Sequence, residues 1–200
     1  MAEADTPGRE RLGLRAPVGR CPVPASESLR EKTPVGMLGT VGAWHLRASS
    51  YGLPQLETLV RAVAPDLLCA EINRADWEAG RVSNLPIEYR QCLMPLCQEL
   101  GIVIVPVGTP WCGLPSPLRL ALALGAGPRR VNSVEADRLH RIWACLWPRS
   151  RHANRELVEH IVQAVRRDPG RRILVTVRIE RRYAVVQGLC HTDEVRLVPV

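Results

Sequence analysis

The chain contains no phenylalanine, and its aromatic residues are five tryptophans and three tyrosines. They are scattered along the sequence, so no ready platform for stacking nucleic-acid bases is visible. Lysine is almost missing too. Lys32 is the only one, so the 27 basic residues less this one leave 26 arginines. No C-x-x-C pair occurs among the seven cysteines, and seven is odd. A closed disulfide framework and a zinc knuckle are both disfavoured by that arithmetic. Free thiols of this kind point to a reducing, cytoplasmic environment. No secretory h-region is recognisable near the start, where charges and prolines interrupt every apolar stretch. The longest apolar runs, such as residues 100–108, are far too short to cross a bilayer, so no membrane span is expected. There is no G-x-G-x-x-G, no G-x-S-x-G and no P-loop lysine motif, so neither NAD nor FAD is expected and the commonest hydrolase and NTPase signatures are absent.

What is present suits a folded domain. Of the 200 residues 46% are hydrophobic and 24% charged, enough apolar surface to offset the entropy of ordering one compact unit. Residues 1–33 are rich in Pro, Gly, Arg, Glu and Ser and have no sustained period, so they read as a tail. Residues 34–200 read as a single domain. The net charge of +7 is unevenly placed. Residues 129–200 hold 15 arginines against 8 acidic groups, a difference of +7, so the first 128 residues sum to zero. Arginine stems commonly cover apolar surface while the heads stay in water. A concentrated arginine surface also suits an acidic partner.

Apolar runs of strand length fall at residues 35–41, 67–72 and 102–107, and β-rich segments follow at 173–179, 183–189 and 195–200. Helical spacing of apolar residues appears at 54–64, 86–100, 133–148 and 154–167, with a further possible helix at 116–124. Strands alternating with helices of ten or more residues predict an α/β fold with a mainly parallel sheet. The last one or two strands are expected at an edge, with antiparallel pairing open to them.

In such a sheet ligands bind beyond the carboxyl ends of the strands. The first run ends in Gly39-Thr40 and leads to Gly42 and His45; the second ends in Glu71 with Arg74 close behind; the third leads to Trp111 and Cys112. A carboxylate ending an apolar strand is expensive unless it is paired or opens into a cleft. Glu71 therefore reads as a metal ligand or a general base, or as the ion-pair partner of Arg74. His45 reads as a ligand or as an ordinary loop histidine. Glu88 stands near a helix N-terminus, where negative charge is favoured, and is a lesser candidate for the same rim.

Gly39-Thr40, Gly42-x-x-His45 and Pro65-Asp66-Leu67-Leu68-Cys69-Ala70-Glu71-Ile72-Asn73-Arg74 together resemble the TraB/Tiki/ChaN/erythromycin-esterase superfamily. Asn154-Arg155 within residues 151–165 resembles a late helix of that family, and the resemblance covers roughly residues 35–200. It implies a metal-dependent hydrolase with His45 and Glu71 on the active-site rim, a divalent transition metal, and a small-molecule or peptide substrate. Other branches bind haem or hydrolyse a lactone ester. Where the family has Gly-x-x-His after its last central strand, this chain reads Arg178-Ile179-Glu180-Arg181-Arg182-Tyr183, which leaves Glu180 as the replacement ligand. The alternative is a non-catalytic binding or scaffold protein on the same fold, its arginine-rich second half facing an acidic partner.

Overall fold

The computed structural model describes residues 31–48, 50–109, 125, 127–145 and 150–200. Five parallel strands form one sheet: β1 (Thr33–Thr40), β2 (Leu67–Asn73), β3 (Val103–Gly108), β4 (Ile173–Arg178) and β5 (Val195–Val198), in the order β3-β2-β4-β1-β5. Seven α-helices flank it among the described residues: α1 (Leu53–Val63), α2 (Arg74–Glu78), α3 (Met94–Leu100), α4 (Pro128–Val131), α5 (Val134–Cys145), α6 (Ser150–Arg167) and α7 (Ile179–Cys190). The α/β architecture and the mainly parallel sheet expected from the sequence are present.

The helix boundaries have local causes. Asn73 caps α2 by accepting a hydrogen bond from the Ala75 N–H at 2.9 Å. Gly101, at φ 67°, ends α3 in the left-handed conformation that costs glycine little. Ser133 Oγ accepts the Ala136 N–H and starts α5, as its place before an apolar stripe suggests. The helical stretch expected over 86–100 is not uniform: a π-helical turn at Tyr89–Leu93 leads into α3 and turns Tyr89 inward.

Two sequence expectations are corrected. Residues 183–189 belong to helix α7, not to a strand. Val185 and Leu189, four residues apart, both enter the core, which is helical rather than alternating spacing. The final strand is not antiparallel. β5 pairs parallel with β1, Val35 opposite Leu197. The two corrections share one cause, because β4 and β5 run the same way and parallel strands need a crossover segment between them, here α7.

Successive side chains of each strand feed opposite faces. Leu38, Leu68, Ala70, Ile72 and Leu174 pack with Leu56, Val60, Leu93 and Leu96 from α1, the π-helical turn and α3. Val35, Met37, Cys69, Val175 and Val177 pack with Leu157, Ile161, Val165, Val185 and Leu189 from α6 and α7. The connections leaving β1 and β2 thus run over one face and those leaving β3 and β4 over the other. β4 lies between β2 and β1. Its carboxyl end is therefore flanked on both sides by points where the winding reverses, and ligand crevices of α/β proteins form at such points.

Candidate functional site

The crevice between β2 and β4 is filled by the chain's own side chains. The ladder between these strands runs from Leu67–Ile173 to Ala70–Thr176. At the next residue the Glu71 N–H donates to Tyr89 Oη at 2.9 Å instead of to a strand neighbour. Tyr89 Oη also lies 3.1 Å from Thr176 Oγ1 and 3.2 Å from the Thr176 carbonyl, so one hydroxyl closes the gap between the diverging strands. Burial pushes the Tyr89 phenol far above its ordinary value, with the nearby Glu88 and Glu71 adding to the effect, so it stays a neutral donor.

On the opposite face sits a buried ion pair. Glu71 Oε1 accepts from Arg181 Nη1 at 3.0 Å, and Oε2 accepts the Arg178 N–H at 2.6 Å. The Arg178 N–H belongs to the residue capping α7, and a carboxylate there also meets the positive end of the helix dipole. Arg181 is fully buried. Its Nε donates to Asn154 Oδ1 at 2.7 Å, and its Nη2 to Thr109 Oγ1 at 3.0 Å and to the Ala153 carbonyl at 2.5 Å. The guanidinium thus ties the ends of β2, β3 and β4 to the first turns of α6 and α7. A buried arginine is tolerable when its fork is matched in this way.

His45 is held apart from this pair. It lies in the short 3-10 turn Gly42–Leu46 that follows β1 and is buried. Its Nε2 accepts the Val41 N–H at 3.1 Å and its Nδ1 stands 2.8 Å from the Tyr51 carbonyl. A carbonyl only accepts, so the proton is on Nδ1 and the ring is neutral. Tyr51 stacks edge-on against it, with ring centroids 4.9 Å apart. The Tyr51 hydroxyl donates to the Gly39 carbonyl at 2.7 Å, and the Gly39 N–H donates to Asn132 Oδ1. These bonds cover the part of β1 that lies past the register of β5. Thr40 is buried at the end of β1, and Gly42 takes φ 62° to begin the turn.

Arg74 does not pair with Glu71. It is the first residue of α2 and reaches Glu78 at 3.9 Å on the surface. Glu180 is buried in the first turn of α7, on a helix rather than a strand. Glu88 is 1% exposed and immediately precedes the π-helical turn that begins with Tyr89. Trp111 and Cys112, residues 1–30 and the helix expected over 116–124 lie outside the described residues.

A divalent metal does not fit the donors as they stand. Both His45 nitrogens have backbone partners, and Glu71 already faces a cation at 3.0 Å. Among the described residues no three His, Cys, Asp or Glu side chains form a metal-sized group. Sequence reasoning missed Arg181 and Tyr89, and marked Asn154 only through the resemblance of its helix. The only signal for Arg181 was its place four residues into the segment that departs from the Gly-x-x-His pattern. A second ion pair, Arg182 with Asp137, joins α7 to α5. Comparison of the chain with family models, with curated proteins and with solved structures returns no match.

Proposed function

We propose that this protein is a non-catalytic binding protein on an α/β scaffold, with its arginine-rich second half facing an acidic partner. One observation carries the reading. The residues at the carboxyl rim that would do chemistry, Glu71 and His45, spend their hydrogen-bonding atoms on Arg181, the Arg178 N–H, the Val41 N–H and the Tyr51 carbonyl. A general base needs a lone pair within reach of a substrate proton, and a ligand needs one within reach of a metal. Here the lone pairs point into the protein.

The resemblance to the TraB/Tiki/ChaN/erythromycin-esterase superfamily is compatible with this reading. It puts a Gly-x-x-His where this chain reads Arg178-Ile179-Glu180-Arg181-Arg182-Tyr183 with no histidine, and Arg181 of that segment brings a fixed positive charge to Glu71. A degenerate member of such a family would keep the fold and lose the metal-dependent hydrolysis.

The test is metal content together with fold. The purified full chain, dialysed against zinc, manganese or cobalt, is expected to hold none of them stoichiometrically. His45→Ala is expected to lower thermal stability without changing metal content. Stoichiometric metal in the wild type that disappears in both His45→Ala and Glu71→Gln would replace this reading with the hydrolase.

A further inference from the structure

Resting on the binding-protein reading, we propose that the rim at the carboxyl ends of the strands, carried by Arg129 and Arg130 of α4 and Arg151 and Arg155 of α6, docks the phosphate backbone of a nucleic-acid strand. Several arginines of the second half are paired at the amino end of the sheet, although exposed Arg167 and Arg196 there form no salt bridge with another described residue. At the amino end, Arg166 pairs with Glu194 at 2.7 Å, Arg171 with Asp168 at 3.5 Å and Arg172 with Asp66 at 3.8 Å. At the carboxyl end, Arg129, Arg130, Arg151 and Arg155 are exposed, and none of them forms a salt bridge with another described residue. The positions of α6 and α4 at this end are fixed by contacts already described. Asn154 and Ala153 meet Arg181, and Asn132, directly after α4, meets Gly39.

Helix stability does not account for the cations on α6. Arg151, His152 and Arg155 stand in the first two turns of an 18-residue helix that has no acidic residue in its first turn. The macrodipole disfavours positive charge there. An arriving anion reverses that sign. The choice of arginine also suits phosphate, since its planar fork binds two oxygens at once.

The arrangement favours a polymer over a small anion, because the four arginines sit on two separate helices rather than around one pocket. Two aromatic faces belong to the same rim although they are far apart in sequence. Trp44, in the turn after β1, is half-buried with Arg47 5.5 Å from its ring centroid. Tyr183, in the second turn of α7, is half-buried with Arg141 5.9 Å from its ring centroid. Aromatic rings next to arginines are what unpaired bases stack on.

Fluorescence anisotropy of a labelled single-stranded 20-mer with the full chain tests the proposal, over a series of salt concentrations. Arg151→Glu/Arg155→Glu is compared with Arg167→Glu/Arg196→Glu, which changes the net charge equally at exposed positions away from the rim. The rim variant is expected to bind at least tenfold more weakly, with the slope of log K against log salt reduced by about 1.4 for two lost contacts on a single strand. The other variant is expected to stay within about threefold of wild type. Arg129→Gln/Arg130→Gln, with melting curves for every variant, guards against a folding defect. Equal losses in the two charge-reversed variants overturn the proposal. Binding of a polyglutamate peptide or of phosphatidylserine vesicles without the oligonucleotide overturns the nucleic-acid partner and leaves the binding-protein reading standing. No binding to any of the three overturns both.

Discussion

Glu71→Gln isolates the ion pair at the centre of the rim. Glutamine keeps the shape and one acceptor oxygen but removes the charge opposite Arg181. Arg181 is fully buried, and it also donates to Asn154, Thr109 and the Ala153 carbonyl, which are all neutral. The variant would therefore hold a guanidinium away from water without the charge of Glu71 opposite it, and the Arg178 N–H would lose a charged acceptor. Breaking a buried pair by removing one partner costs about 3–5 kcal/mol. For a fold of this size each kcal/mol moves Tm by about 2–4 °C, so a fall of roughly 6–20 °C is expected. Urea unfolding followed by tryptophan fluorescence gives the same quantity isothermally. The control is Glu71→Leu/Arg181→Met, which removes both charges. Because the solvation cost of the pair disappears with its attraction, this double variant is expected to recover most of the loss. A loss below about 1 kcal/mol for Glu71→Gln, or a double variant no better than the single one, would refute a structural role for the pair.

Gly108→Ala should be among the most damaging conservative changes, because a Cβ at Gly108 would stand 2.6 Å from the Ile72 carbonyl oxygen, where the β2–β3 register shifts. Overpacking against backbone of this kind costs about 1–3 kcal/mol, measurable in the same urea titration. Thiol labelling with peptide mapping should modify exposed Cys190 in the native state and reach Cys69 only on unfolding, since burial pushes the Cys69 thiol up to about 12 and removes it from solvent. Burial also lifts the Asp137 carboxyl above its ordinary value of 3.8, by more than the adjacent Arg182 lowers it. The folded state then holds this proton where the unfolded state has released it, so stability should fall as pH rises from that ordinary value through the folded one. The slope contributed by this group should vanish in Asp137→Asn, and chemical denaturation across the acidic range reads it directly.

The elements that the sequence predicts well are those whose signal is local. Runs such as 35–41 and 67–72 are apolar except for Thr40 and Glu71 near their ends, because a parallel strand is covered on both faces, and that requirement is written into consecutive residues. The Ser133 and Gly101 boundaries are equally local. Residues 183–189 were misleading because a short β-branched run fits a strand as well as a helix until its neighbours are known. β5 chose the matter: once it lies parallel beside β1, α7 has to be the crossover.

The candidate site divides along the same line. The sequence alone marked Glu71 as needing a partner, since an isolated carboxylate at a strand end is costly, and it placed Glu71 and His45 at the carboxyl end of the sheet. It offered Arg74, three residues away, as the partner. The fold supplied Arg181 instead, 110 residues distant, because α2 carries Arg74 outward to Glu78 while the first turn of α7 brings Arg181 under the rim. His45 was recognisable as a rim residue, but only the positions of Val41 and Tyr51 fix its proton on Nδ1 and commit its second nitrogen. Hydrophobic periodicity repeats within a segment and survives without the rest of the chain. Ion pairs, tautomers and the direction of an edge strand depend on which distant segments meet, and only the assembled fold specifies that.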